Sequence, residues 1–177
     1  MLQVVWRVEA LALPALSLPC ARCACVSSFL CTERFRVNAN GGLLDVWLLY
    51  RCETCDALHK QRVKRRVRAD ALQRDLLAGY QADEPSLVRR CAFAAGGGAE
   101  VAYRVVREPL PASGLLRALI DQPEPCGVRW DRMLASELGW TRSRVAREAE
   151  RGALRVNGGE KLRGMVMQRD VLEVDLQ

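Results

Sequence analysis

Two Cys-x-x-Cys pairs, Cys20/Cys23 and Cys52/Cys55, stand on either side of a β-hairpin signature. Paired knuckles of this kind deliver four thiolates to a tetrahedral metal, and four thiolate ligands select zinc. Between the pairs, RFRVN and LLDVWLLY are rich in β-formers and ANGG supplies a turn. Knuckle, strand, turn, strand, knuckle is the order of a zinc ribbon. A redox pair would instead place one Cys-x-x-Cys at the start of a helix in a βαβ context, which neither pair has. Four thiolates close the coordination shell, so the expected zinc is structural rather than catalytic. Cys25 and Cys31 lie close enough to be substitute ligands or small buried hydrophobes, and Cys91 and Cys126 have no assigned role.

The eight cysteines raise the question of redox compartment. The apolar start MLQVVWRVEA carries Arg7 and Glu9 without a basic leader, and it is expected to form a strand rather than an export signal. The longest uncharged stretch, Ala10 to Ala21, is too short for a membrane span and contains two prolines. These features predict a cytoplasmic protein with reduced or metal-bound thiols and no membrane partner.

Charge is uneven along the chain. Residues 1–70 hold 11 Arg/Lys against 6 Asp/Glu, residues 71–112 hold 5 of each, and residues 113–177 hold 11 against 10. The excess concentrates in HKQRVKRRVR, which makes Lys60, Arg62, Lys64, Arg65, Arg66 and Arg68 a candidate phosphate-binding patch. A solvated strand is the other reading of that run.

Catalytic constellations are scarce. His59 is the only histidine, so no Ser-His or Cys-His pair extends beyond it, and it is at most a substitute zinc ligand. Asp45 and Asp56 are isolated. The chain is therefore expected not to be an enzyme, and no small-molecule substrate is evident. Trp47 and Tyr50 point to opposite faces of their strand because their separation is odd, and Asn38 and Asn40 flank a turn that Gly41 and Gly42 free.

After a strand over LHKQRVKRRV, the periodicity of Leu72, Leu76, Leu77 and Tyr80, then Leu87, Val88 and Cys91, predicts two short helices with Asp70 and Asp83 as N-caps. VAYRVV reads as a strand. REPLPAS is the best linker, which puts a boundary near Pro111. Beyond it, Trp130, Leu134 and Leu138 fall at helical spacing, Gly139 fits a stop, Thr141 fits an N-cap for RSRVAREAERG, and LRVNGGE and DVLEVDL read as strands around a turn. The core expected here is Trp130, Leu134, Leu138, Val145 and Val156.

Residues 129–175, through RWDRMLASELG, TRSRVAREAERGALRVNG and DVLEVDL, resemble the RNA-binding motif of ribosomal protein S-four, also called the alpha-L motif. The resemblance implies two helices that present basic side chains to structured RNA, with a further base at the strand turn. It carries over to Arg129, Arg132, Arg142, Arg144 and Lys161. Independently of it, Arg144, Arg147 and Arg151 share one helix face by spacing. FRVNANGGLLDVWLLYRCETC, preceded by LPCARC, resembles a bacterial family of domains of unknown function, number 1062. That resemblance supports the ribbon pairing and implies no established activity.

The expected architecture is α+β in two parts: a zinc-ribbon domain with added strands and short helices over 1–111, and a small helix-helix-strand module over 112–177. The function that fits is non-catalytic binding of structured RNA, ribosomal or transfer RNA. The alternatives are a protein-interaction adaptor with a structural zinc and, more weakly, a DNA-binding regulator whose tail is a helix-turn-helix.

Overall fold

The computed structural model describes residues 1–160, 162 and 164–176. The chain divides into two compact units: Leu13–Gly97 is one, and Met1–Ala12 together with Gly98–Gln177 is the other. The first is thus inserted into the second, between its strands β1 (Leu2–Ala10) and β6 (Tyr103–Val106).

In the inserted unit, β2 (Leu16–Cys20), β3 (Cys25–Asn40), β4 (Leu43–Cys52) and β5 (Leu58–Arg68) form an antiparallel sheet in the order β2-β3-β4-β5. Alternation along β4 sends Leu44, Val46, Leu48, Tyr50 and Cys52 inward, as the two-residue period of a strand requires. The expected hairpin turn forms at Gly41 and Gly42, whose φ values of 57° and 80° suit a two-residue turn of primed type. Neither Asn38 nor Asn40 takes a left-handed conformation. Asn38 instead pairs with Asp45 in register and its Oδ1 accepts from Arg36 Nε at 3.2 Å.

Two helices fill the inner face. Helix α1 (Arg74–Gln81) brings Tyr80 to Leu44 and Val46, and α2 (Pro85–Gly96) brings Val88 and Ala92 to Phe29, Leu48 and Tyr50. Gly79 permits their approach, since a Cβ there would meet Leu87 Cδ1 at 2.5 Å. The two helices are where expected but their caps are not. Asp70 lies in a single 3-10 turn (Ala69–Ala71) and pairs with Arg68, while α1 starts after Gln73. The cap of α2 is Glu84, which accepts from Leu87 N at 2.9 Å with Pro85 in the first turn. Asp83 is claimed by the neighbouring strand. A bulge between Cys31 and Phe35 frees the Phe35 amide, and Asp83 accepts from it at 2.6 Å while holding Arg34 at 2.8 Å.

The outer unit is a five-stranded sheet in the order β6-β1-β7-β9-β8, with β7 at Gly114–Asp121, β8 at Leu154–Val156 and β9 at Val171–Leu176. Helices α3 (Trp130–Leu138) and α4 (Arg142–Glu150) belong to the same unit. The order helix, turn, helix, strand, strand is as expected. Gly139 ends α3 in the left-handed conformation, and Thr141 Oγ1 accepts from Arg144 N at 3.2 Å. Trp130, Leu134 and Val145 are buried as expected. Leu138 and Val156 are only half-buried, and Leu154 takes the inward place on β8. Asp170 ties the module together by accepting from Trp130 Nε1 (3.2 Å), Asn157 Nδ2 (2.8 Å) and Met167 N (2.9 Å).

The division at Pro111 does not match these units. The tail's strand β7 runs parallel to the N-terminal β1, with Leu2 opposite Leu116 and Trp6 opposite Ile120. The tail therefore shares its sheet with residues 2–10 and is not self-contained, and the ribbon does not include the start of the chain.

Candidate metal centre and basic surfaces

Each Cys-x-x-Cys pair sits on a turn of the same construction. The residue after the second cysteine is left-handed in both, Ala24 at φ 55° and Asp56 at φ 61°. In the first turn Cys20 and Cys25 face each other across β2 and β3. In the second, Cys52 N donates to Ala57 O at 2.9 Å and Asp56 N to Cys52 O at 3.0 Å. The turns are joined because β4 delivers Cys52 beside Phe29 of β3, and Arg22 Nη1 reaches Cys55 O at 3.1 Å.

The result brings all four sulfurs within 4.8 Å of one another. Cys20 Sγ lies 3.5 Å from Cys55 Sγ, and Cys23 Sγ lies 3.8 Å from Cys52 Sγ. A regular tetrahedron with metal–sulfur bonds of about 2.3 Å has edges of about 3.8 Å, so the set fits a metal ion such as zinc. Cys20 and Cys52 are buried, and Cys23 and Cys55 are partly exposed. As four thiols the cluster ionises unevenly. Burial opposes ionisation of Cys52, but the amides of Cys55 and Thr54 outweigh it and bring this thiol down to about 6. A hydrogen bond to Cys55, with burial, pushes Cys23 up to about 12. One thiolate therefore forms readily near neutrality, and a cation would draw off the remaining protons.

The other candidate ligands stay outside. His59 packs edge-on against Phe29 at 5.8 Å, Cys25 is exposed with its sulfur 3.5 Å from Ser27 Oγ, and half-buried Cys31 accepts from Glu33 N at 3.4 Å.

The basic run occupies β5, an edge strand. Lys60, Arg62, Lys64 and Arg68 pair in register with Leu49, Trp47, Val46 and Leu43. Arg65 and Arg66 stand in an irregularity of the ladder, where Arg66 is left-handed at φ 46° and its amide donates to Asp45 Oδ1 at 2.9 Å. Asp45 thus anchors a bulge. Arg68 is paired with Asp70 at 2.6 Å. Among the described residues, no carboxylate lies within ion-pair distance of Lys60, Arg62, Lys64, Arg65 or Arg66.

In the tail the arginines are largely compensated. Asp131 holds Arg129 at 3.0 Å and Arg142 at 2.5 Å, Glu100 holds Arg132, and Glu148 lies 3.8 Å from Arg147 and 3.7 Å from Arg151. Burial alone would raise the pKa of Asp131, but Arg142 and Arg129 overcome it and hold the carboxyl below its ordinary range. Arg144 is half-buried with its guanidinium 4.3 Å from the centre of the Trp140 ring. Arg144, which shares a helix face with Arg147 and Arg151 by spacing, is thus packed on Trp140 rather than standing free. Arg129 and Arg142 line a cleft of about 840 Å³ that also holds Asp131, Glu150 and Glu160, a mixed-charge wall. Lys161 lies outside the described residues.

By unit, Leu13–Gly97 carries 13 Arg/Lys against 8 Asp/Glu, a net +5, and the remainder carries 14 against 13, a net +1. Sequence reasoning passed over Arg36, which register places directly across from Trp47. Counting back from the two-residue turn at Gly41 and Gly42, where Asn40 faces Leu43, reaches this pairing without a register shift. Among the described residues, no helix is long and apolar enough to cross a membrane.

Neither a curated protein nor a solved structure matches the chain. A family model described as a protein of unknown function, DUF1062, matches residues 37–160. The matched stretch runs from the end of β3 through Cys52, Cys55, β5 and both helix pairs, and covers more than two thirds of the sequence; the chain belongs to this family of proteins of unknown function.

Proposed function

We propose that the protein is a non-catalytic RNA-binding protein of the cytoplasm, whose inserted unit is held by one structural zinc on Cys20, Cys23, Cys52 and Cys55. A set of four thiolates fits a closed shell, which holds strands together and leaves no position for a substrate. The observation that carries the reading is the row of uncompensated cations on β5, in the unit with the larger positive charge. A positive surface without internal counter-charges attracts phosphate backbones and releases their counterions. The proposed ligand is structured RNA, ribosomal or transfer RNA. The tail, with the element order of the alpha-L motif but paired arginines, is assigned a supporting role.

Edge strands also carry lysine and arginine simply to block edge-to-edge pairing. Salt dependence separates the two roles. With a folded transfer RNA as probe, combined Arg65→Glu and Arg66→Glu is expected to reduce the slope of log affinity against log salt by about 1.4–1.8, two contacts at about 0.7–0.9 each. An unchanged slope assigns Arg65 and Arg66 to edge protection. A protein-docking reading is favoured by exposed Val26, Leu30 and Leu58 near the knuckles. It predicts that replacing Leu30 and Leu58 by serine abolishes capture of a partner while RNA affinity stays unchanged.

A further inference from the structure

The inner face of the four-stranded sheet is filled by α1 and α2, and the opposite face of β3, β4 and β5 carries an arrangement that packing does not require. Trp47, partly exposed, lies near the middle of β4. Register sets Arg36 of β3 on one side of it and Arg62 of β5 on the other. One step further along the same face, Leu49 is opposed by Lys60. Directly opposed residues in an antiparallel pair have Cβ atoms about 4.5–5.5 Å apart, so the cations flank the indole at side-chain reach. Arg36, Lys60 and Arg62 are exposed, and among the described residues none has a carboxylate within ion-pair distance. A ring set in a partly exposed sheet face between cations without counter-charges offers an aromatic surface and an anion site at one spacing.

We propose that this face is a platform for single-stranded nucleic acid, with an unpaired base stacked on Trp47 and the adjoining phosphates held by Arg36, Lys60 and Arg62. This deepens and rests on the RNA-binding reading above. A base inside a duplex is covered on both faces by its neighbours, so only an unpaired segment can present a ring to a flat sheet. A structured RNA meets that condition at its loops. Stacking on an indole tolerates any base, because every base has a π-face, so the platform is expected to favour strandedness over sequence.

The test uses the full-length, zinc-loaded protein with labelled 12-nucleotide single-stranded RNA, single-stranded DNA of the same sequence, and a blunt RNA duplex. Trp47→Leu should weaken single-strand binding by about 5- to 150-fold, the effect typical of one stacked base, whereas Trp47→Phe should retain most of it. Duplex binding should be equal in wild type and both variants. Lys60→Ala should lower the salt slope on single strands by about 0.7 without removing the dependence on Trp47. Thermal melting equal to wild type shows that a variant is folded; if the leucine variant is not, Lys60→Ala decides, and an unchanged single-strand salt slope in it overturns the platform. Single-strand binding that is indifferent to Trp47, or a Trp47→Leu loss shared equally by duplex, overturns the platform while the RNA reading stands. Binding of single-stranded DNA alone overturns the RNA reading but supports the platform. A wild type that binds none of the three, or that instead buries this face against a protein, overturns both.

Discussion

Cys52→Ser is the sharpest probe of how the inserted unit is held. Apparent binding free energies of structural zinc sites are about 10–16 kcal/mol. Divided evenly among four thiolates, each contributes about 2.5–4 kcal/mol. Cys52 is fully buried, so its replacement also leaves a hydroxyl without water, costing about 1–3 kcal/mol. The sum, about 4–7 kcal/mol, falls in the lower half of the stability expected of a unit of this length, about 4–13 kcal/mol at about 0.05–0.15 kcal/mol per residue. The unit Leu13–Gly97 should therefore melt well below wild type, and zinc per chain should fall from one toward zero in chelator-free dialysis. Cys25→Ser is the control. That thiol is exposed, with its sulfur 3.5 Å from Ser27 Oγ, so its loss should shift stability by under about 0.5 kcal/mol. Calorimetry with parallel elemental analysis reads both quantities. A Cys52→Ser protein that melts with wild type and keeps its zinc, or a Cys25→Ser protein that fails equally, would refute the four-thiolate reasoning.

Asp131, held below its ordinary pKa despite partial burial, contributes stability above about pH 4, the range where it is ionised in both folded and unfolded chains. That contribution is lost as pH falls through the lowered folded value, so Asp131→Asn should flatten the acid limb of the outer unit's stability curve, measured by melting between pH 2 and 6. The same change releases Arg129 and Arg142 and should raise RNA affinity at neutral pH if the tail takes part in binding; unchanged affinity confines binding to the inserted unit. Arg144→Glu forfeits a stack on Trp140 worth about 0.5–1 kcal/mol but places an acid three residues after the Thr141 cap, where it completes a capping box. The two effects should nearly cancel, so a melting shift above about 1 kcal/mol in free energy would contradict the placement of Arg144.

What could be read in the sequence was whatever is decided within a few residues. The knuckles are local turns, so the spacing of Cys20/Cys23 and Cys52/Cys55 was enough to group them. Gly139 and Thr141 bound their helices by their own backbone and hydroxyl chemistry. Legibility ends where a distant partner decides. Asp83 has the side chain of a cap but is taken by the Phe35 amide, 48 positions away, because a bulge frees that amide. Arg142 looks cationic until Asp131, on another helix, closes on it. GLLRALID hides strand β7 because its outward positions Leu115 and Leu119 are as apolar as its inward ones, so no alternation marks it. Trp47 could be assigned to the face opposite Tyr50 from parity alone, and Arg36 faces it in regular register from the turn, but Arg62 reaches it across a ladder that shifts twice between Leu44 and Trp47.

The insertion of one unit between β1 and β6 links metal loading to a pairing that contains no ligand. Ala10 and Tyr103 face each other, and Leu11 N donates to Ala102 O at 2.8 Å, across some ninety residues of intervening chain. Within the inserted unit the two ends meet, since a Cβ on Gly96 would touch the Pro14 ring at 2.6 Å. Folded, that unit acts as a clasp that replaces a loop of about ninety residues by one of a handful. Loop closure costs about (3/2)RT ln n, so the clasp lowers the cost of joining β1 to β6 by about 2 kcal/mol. Through the fold of the unit they hold, the four cysteines thereby bear on the chain entropy of a sheet to which they do not belong, and, if they hold the proposed zinc, removing it should weaken the outer unit along with the inserted one.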